Sequence, residues 1–360
     1  MDIDYSKISP IAIWEITLGC NLKCLHCGSA AGIKRENELT TKEAINLCDE
    51  FTSINVDEVC LMGGEPLLRK DWYEIAKKLK SLNIKIDVIT NGFHKNREEL
   101  IQKLKSIDPF VVAVSLDGSC PKIHDVIRHK DSFRLATEFL FNLKSENIDA
   151  TIITTVNKIN YNDLPNIKDL ILDKEIAWQI QTASPLGRFS KKYALNEEEF
   201  YALGLWVDSL KKNYSKKELP LIGAHGLGFN SRYMDSLALY DKWIGCPAGI
   251  CAFGIQSDGG IKGCLSTPDY LLEENIRKKS LKEIWLGENS FKYNRKFVKE
   301  NLGSNCINCK HGETCRGGCI SKSTSLTGIL HNDPWCYHRI EEKLLKEEID
   351  PRTLLNKYFK

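Results

Sequence analysis

Three cysteines, Cys20, Cys24 and Cys27, stand in a C-x3-C-x2-C pattern within IAIWEITLGCNLKCLHCGSA (11–30), directly after an apolar run that reads as a strand. Thiolates are soft ligands that select zinc, copper(I) or iron–sulfur clusters. A structural zinc takes four closed ligands. Three thiols packed this tightly can instead hold three irons of a cubane and leave the fourth iron open to another molecule. A zinc site completed by His26 or by a distant cysteine is the alternative. A second group lies beyond residue 240: Cys246, Cys251 and Cys264, then Cys306-x2-Cys309-x5-Cys315-x3-Cys319, and finally Cys336. Eight thiols can ligate two cubanes completely. A pair of zinc sites is the alternative here, because C-x2-C with distant partners is also a zinc pattern.

The rest of the composition narrows the setting. The 360 residues are 42 % hydrophobic, enough for a packed core, and the net charge is +2, from 50 basic and 48 acidic side chains. That balance gives no electrostatic reason to expect nucleic acid or an anionic membrane as partner. The N-terminal MDIDYSKISP lacks the basic and apolar regions of a signal peptide. No run approaches the ~18 apolar residues of a spanning helix. The chain is therefore expected to be soluble and cytoplasmic. A reducing compartment argues against a disulfide framework for the fourteen cysteines. Metal or cluster ligation remains, with Cys48 and Cys60 on apolar faces as core filler.

The elements that must position these thiols alternate regularly. Apolar runs at 11–17, 56–62, 85–90, 110–116, 150–156 and 177–183 read as strands. Amphipathic stretches between them read as helices, at 40–51 with a Thr40/Glu43 capping box, at 71–82 with the same device in Asp71/Glu74, and around 96–107, 131–146 and 162–173. Six strand–helix repeats with near-continuous apolar strands indicate an α/β fold, a parallel sheet covered by helices. A partial (β/α)6 TIM-type barrel over 10–190 fits better than a Rossmann sheet, because no G-x-G-x-x-G follows a strand and polar motifs end several strands. A bridging region is expected over 191–245, with a helix at 196–214 and a Gly-rich irregular stretch at 220–245. A cysteine-rich, loop-rich domain then covers 246–340, with a hairpin at Asp258-Gly259 and a short helix at 280–285. The tail, 341–360, reads as a charged, solvated helix.

The cysteine loop, followed one strand later by Gly63-Gly64-Glu65-Pro66, resembles the radical SAM superfamily. In that family the open iron is chelated by the amino and carboxylate groups of S-adenosylmethionine. One electron from the cluster then yields methionine and a 5′-deoxyadenosyl radical, which takes a hydrogen atom from substrate. The resemblance assigns the backbone of Gly63, Gly64 and Pro66, with Glu65, to the methionine amino group. Weaker matches end later strands: Thr90-Asn91-Gly92, Ser115-Leu116-Asp117-Gly118 followed by His124-Asp125-x-x-Arg128, then Thr155 and Asn157, and Pro185-Leu186-Gly187-Arg188. The family uses these regions for the ribose, the methionine carboxylate and the adenine. Ser115 and Arg128 suit hydroxyl and carboxylate partners, and Leu186 falls on the adenine side. Cys120 is a candidate hydrogen-atom donor to a substrate radical, with a partly buried loop thiol as the plainer reading.

The second cysteine group resembles the SPASM domain, with Cys251 where two-cluster members carry an extra ligand. The resemblance implies one auxiliary [4Fe–4S] cluster on Cys246, Cys251, Cys264 and Cys319, and another on Cys306, Cys309, Cys315 and Cys336, three clusters in all. Enzymes of this kind mostly modify peptides or proteins. The sulfatase-maturing type carries an Asp after the cysteine equivalent to Cys264, where this chain has Leu265. The expected function is therefore a radical peptide maturase forming a crosslink, an epimerised centre or an oxidised residue. A formylglycine maturase, a radical enzyme acting on a small molecule and a non-enzymatic electron carrier are the alternatives. Implied partners are a peptide or protein substrate and an electron donor such as flavodoxin or ferredoxin; with only residues 1–10 before the first strand, a leader peptide is expected to dock on the barrel or SPASM surface or on a separate leader-recognition protein.

Overall fold

The computed structural model describes residues 3–223, 226–227, 229–235, 237 and 245–359. In chain order the elements are β1 (Ile11–Thr17), α1 (Thr41–Thr52), β2 (Glu58–Gly63), α2 (Trp72–Ser81), β3 (Lys85–Thr90), α3 (Arg97–Ile107), β4 (Val111–Ser115), α4 (Pro121–Ile127), α5 (Ser132–Ser145), β5 (Ala150–Val156), α6 (Leu164–Ile171), β6 (Ala177–Thr182), α7 (Glu197–Asn213) and β7 (Leu221–Gly223). Then follow β8 (Ala252–Ile255), β9 (Gly260–Lys262), β10 (Leu272–Asn275), α8 (Leu281–Leu286), α9 (Lys292–Arg295), α10 (Gly312–Cys315), α11 (Ile320–Thr327), α12 (Tyr337–Lys346) and α13 (Thr353–Tyr358). All six expected strands form within two residues of their expected ends. The chain divides into two compact units built from separated segments: residues up to 115, 134–150 and 247–297 form one, and 116–133, 151–246 and 298 onward the other.

In the first unit the strand order is β10-β9-β8-β1-β2-β3-β4. Strands β8 and β1 to β4 run parallel, and β8, β9 and β10 pair antiparallel. The hairpin expected at Asp258-Gly259 joins β8 to β9, with Gly259 at φ +90, a left-handed conformation that glycine adopts freely. Helix α1 starts at the expected capping box, in which Thr40 Oγ1 accepts from Glu43 N (3.3 Å) and Glu43 Oε2 accepts from Thr40 N (2.8 Å). Its buried face is Ala44, Leu47, Cys48 and Phe51. Cys48 and Cys60 are core residues, as expected.

The capping box expected at Asp71 does not form. Its carboxylate is engaged in a two-pronged ion pair with Arg69, at 2.8 and 3.0 Å. A charge-assisted bidentate pair outcompetes a neutral N–H donor. The remaining prongs of Arg69 donate to Ile16 O (2.6 Å) and Leu39 O (2.8 Å), tying the end of β1 to the segment that leads into α1.

In the second unit β5, β6 and β7 run parallel. The Gly-rich stretch expected at 220–245 lies partly outside the described residues. Helix α7 is nearly all buried, and the tail is not a solvated helix. Pro351 separates α12 from α13, and both pack on α7. Tyr337 stacks on Phe200 (4.9 Å between ring centres) and Phe359 on Trp206 (4.9 Å). Glu341 is 1 % exposed and accepts from Tyr201 Oη (2.9 Å), from Ser231 Oγ and from Arg232 N (2.9 Å). The tail's charges conceal an apolar stripe, Tyr337, Ile340 and Leu344, at helical spacing.

One buried acid in the first unit gives a pH-dependent prediction. Asp87 on β3 lies opposite Cys60 on β2, and burial together with the neighbouring Glu58 carboxylate pushes its carboxyl up to about 8. The folded state therefore holds a proton that the unfolded chain releases near pH ~4. The associated stability is full below that value and is lost as pH rises through about 8. Asp87→Asn should match the wild type in thermal unfolding near pH ~3 and exceed it by a margin that grows from there to about pH 8 and then levels off. A margin independent of pH would contradict this.

Candidate active site and cluster cysteines

The three-cysteine loop is closed at its neck. Gly19 and Gly32 form a bridge, with Cys20 N donating to Gly32 O (3.1 Å) and Gly32 N to Leu18 O (3.0 Å). Glu38 adds a second clamp, accepting from Leu18 N (2.8 Å) and Thr17 Oγ1 (3.0 Å). Within the loop, Cys20 Sγ accepts from Leu22 N and Cys27 Sγ from Ala31 N, each at 3.4 Å. Burial raises the Cys20 thiol to about 11, and Glu65, Cys24 and Cys27 nearby add to the rise.

The Gly63-Gly64-Glu65-Pro66 turn is laid directly on that neck. Gly64 N donates to Thr17 O (2.7 Å) and Glu65 N to Gly19 O (2.9 Å). A Cβ on Gly63 would lie 2.1 Å from Thr17 O, and one on Gly64 2.2 Å from Gly19 O. The close approach demands glycine at both positions, and at Gly63 the φ of +148 demands it as well. Pro66 opens a short 3-10 turn (Pro66–Leu68) capped by Glu65.

The Glu65 carboxylate is fully buried. It accepts from Leu67 N (3.2 Å), Thr90 Oγ1 (2.8 Å) and Asn91 N (2.7 Å). Asn91 Nδ2 then donates to Asn21 Oδ1 (2.8 Å) and lies 3.8 Å from Cys20 Sγ. The first unit therefore brings together the cysteine loop, the GGEP turn and Thr90-Asn91 in one hydrogen-bonded group. His94, which sequence reading missed, joins them: Nε2 is 3.3 Å from both Glu65 Oε1 and Thr90 Oγ1. Asn21, Glu38 and Arg69 were also missed. Each acts across more than twenty residues of sequence, and no local pattern marks them.

In the second unit Asp117 gathers the later motifs. Its Oδ2 takes Arg128 Nε at 2.6 Å, its Oδ1 accepts from Thr155 N (2.8 Å), and its own N–H donates to His124 Nδ1 (3.1 Å). Asn157 Nδ2 donates to Thr155 O (3.2 Å). Asp117, Arg128, Thr155 and Asn157 are thus one cluster. Ser115 ends β4 in the first unit. Leu186 sits in a separate tight turn, its N–H donating to Ser184 O (2.7 Å). Cys120 is the residue preceding α4 and is partly exposed.

Among the later cysteines, Cys306, Cys309, Cys315 and Cys336 line a single cavity of about 660 Å³ in the second unit. Burial, with Cys336, Asp333 and Cys309 nearby, pushes Cys306 up to about 12, and burial pushes Cys336 to about 11. Among the described residues no three His, Cys, Asp or Glu side chains converge on a point where one metal ion would sit. Four thiols around one cavity are the donor set that an iron–sulfur cluster takes. Of the other four, Cys251 and Cys264 belong to the first unit and Cys246 and Cys319 to the second. Leu265, in the position of the expected base, packs over Gly254 on β8, where an added Cβ would meet its Cγ at 2.8 Å.

Residues 14–171 match the radical SAM superfamily model, and 246–310 match that of an iron-sulfur cluster-binding domain, SPASM. The chain is 28 % identical to an AdoMet-dependent heme synthase of Methanosarcina barkeri, over 92 % of this chain and 97 % of that protein. It is also 28 % identical to the mycofactocin maturase MftC of Mycolicibacterium smegmatis, over 96 % and 87 %. Streptococcus suis SuiB, solved with its precursor peptide SuiA, shares the fold: TM-score 0.72 at 17 % identity, over 91 % of this chain and 76 % of that one.

The backbone contact at the loop neck can be tested by a matched pair. Gly64→Ala should lower unfolding stability by roughly 2 kcal/mol through loss of two backbone hydrogen bonds. Gly32→Ala, whose Cβ would meet nothing within 4 Å, should leave it nearly unchanged. Equal midpoints for the two variants in denaturant unfolding would refute the close-approach argument.

Proposed function

The chain is a radical SAM enzyme with a SPASM region, and from that premise we propose that it modifies a peptide by hydrogen-atom abstraction, giving a crosslink, an epimerised centre or an oxidised residue. The radical SAM region binds a [4Fe–4S] cluster and S-adenosylmethionine, and the SPASM region binds auxiliary iron–sulfur clusters. When bound, the first cluster and S-adenosylmethionine supply one-electron reductive cleavage and a hydrogen-abstracting radical; the protein supplies binding and orientation.

In this reading Cys20, Cys24 and Cys27 hold the first cluster. The N–H groups of Gly64 and Glu65 are taken by Thr17 and Gly19, and the Glu65 carboxylate is taken by Leu67, Thr90 and Asn91. Glu65 thus shapes the turn, and the turn's carbonyl oxygens meet the methionine ammonium, as acceptors suit a donor. Asp117 orients Arg128 for a carboxylate. Ser115, Thr155 and Asn157 serve the ribose, and Leu186 the adenine. All eight later thiols hold two auxiliary clusters. A flavodoxin or ferredoxin delivers the electron.

The peptide reading is carried by the near full-length likeness to a maturase. Leu265, a packing residue where a formylglycine maturase has its base, favours it over that activity. The equal likeness to a heme synthase supports a second reading, an iron porphyrin as substrate. The anaerobically reconstituted enzyme should carry about twelve irons with matching sulfide and little zinc. Given S-adenosylmethionine and a reductant, it should release 5′-deoxyadenosine and change the mass of a short peptide encoded beside its gene. A mass change in iron-coproporphyrin III instead would replace the peptide with the second reading. Zinc without sulfide would end both.

A further inference from the structure

Lys322 and Asp333 form an ion pair, Nζ to Oδ2 3.7 Å, with side chains only 3 % and 1 % exposed. Lys322 lies three residues after Cys319 on α11, and Asp333 three before Cys336. Asp333 Oδ2 accepts from Cys319 N (3.2 Å), while Oδ1 accepts from Trp335 N (2.9 Å). Its own N–H donates to Gly317 O (3.1 Å). One carboxylate thus fixes the backbone at two cysteine segments. It also forms part of the wall of the cavity that Cys306, Cys309, Cys315 and Cys336 line.

Lys322 is held as firmly. Nζ donates to Gly226 O (2.7 Å) and lies over the rings of Phe200 (4.6 Å), Phe229 (5.5 Å) and Trp335 (5.6 Å). Aromatic faces stabilise a desolvated ammonium. Hydrophobic replacement of such a buried pair is often neutral or stabilising, so fold stability alone does not account for a lysine and an aspartate here. Asp333 lines the same cavity as Cys306 and Cys336.

We propose that Lys322 and Asp333 are a positioning clasp for the two auxiliary clusters, Asp333 setting the Cys319 and Cys336 segments together and Lys322 balancing its charge, so that the pair tunes the reduction potentials of both. The proposal rests on the two-cluster assignment above. Hydrogen bonds and nearby charge outside the ligands are what tune such clusters. In low dielectric a single uncompensated charge acts over the several ångströms involved.

The test uses the full chain with Cys20→Ala, Cys24→Ala and Cys27→Ala, which leaves the auxiliary clusters alone. About eight irons with equal sulfide are expected. In redox titrations followed by electron paramagnetic resonance, Asp333→Asn should raise the midpoints of both cluster signals and Lys322→Met should lower both. The double variant should return both towards the starting values. No shift, shifts of one sign in both single variants, or a shift in one signal only would overturn the clasp while leaving the two-cluster assignment standing. If Asp333→Asn sheds iron, recovery of iron in the double variant supports the clasp through the same compensation. Iron loss in both makes position 333 a packing site and overturns the proposal. Fewer than about five irons in the starting protein would refute the two-cluster assignment itself, and the clasp with it.

Discussion

A carboxylate removed from water organises the first unit. Desolvating it costs several kcal/mol unless donors replace the lost water, and each hydrogen bond to such a group recovers about 1.5–3 kcal/mol. Glu65 finds its donors on the 3-10 turn that it caps and on the residues that end β3. The turn can reach them because its glycines let the backbone settle on the neck of the cysteine loop. The Glu65 side chain therefore joins the ends of β2 and β3, and the backbone of the same turn joins them to the end of β1 and the neck of the loop that carries Cys20, Cys24 and Cys27. Asp117 does comparable work in the second unit, joining the end of β5 to Arg128.

The later cysteines are positioned differently. Few regular elements surround them, and their segments are short turns closed by local bonds such as Cys309 N to Cys306 O (2.9 Å). Burial raises several of these thiols, Cys306 to about 12 and Cys336 to about 11. The first loop, by contrast, is braced against the sheet by backbone bonds from Gly64 N to Thr17 O and from Glu65 N to Gly19 O.

This difference explains what could be read from the chain. Strands β1 to β6 announced themselves because each is a short apolar run, and α1 because its capping box is complete within four residues. The cysteine groups stood out in the chain because the spacing within C-x3-C-x2-C and C-x2-C-x5-C-x3-C is local. Asp71 misled because its competitor, Arg69, is engaged with Ile16 and Leu39, contacts that a capping pattern does not contain. The tail misled because Lys and Glu hide the stripe of Tyr337, Ile340 and Leu344, and because Glu341, a charged residue by type, is buried by partners more than a hundred residues away. His94, Asn21 and the Lys322–Asp333 pair were invisible for the same reason. Their meaning lies in which segments they join.

The braced elements also bear on why one chain resembles both a maturase and a heme synthase at 28 % identity. The contacts with a stated structural cause are those that hold thiols and strand ends: the glycines against Thr17 and Gly19, Glu65 under its loop, Asp117 on Arg128. None of them selects a substrate, and all would be needed whichever molecule loses the hydrogen atom. A scaffold of this kind can be kept while chemistry on it diverges, since function resides in the site that a fold presents. Leu265 shows how small the change can be. An aliphatic side chain packed on Gly254 stands where a formylglycine maturase has its base.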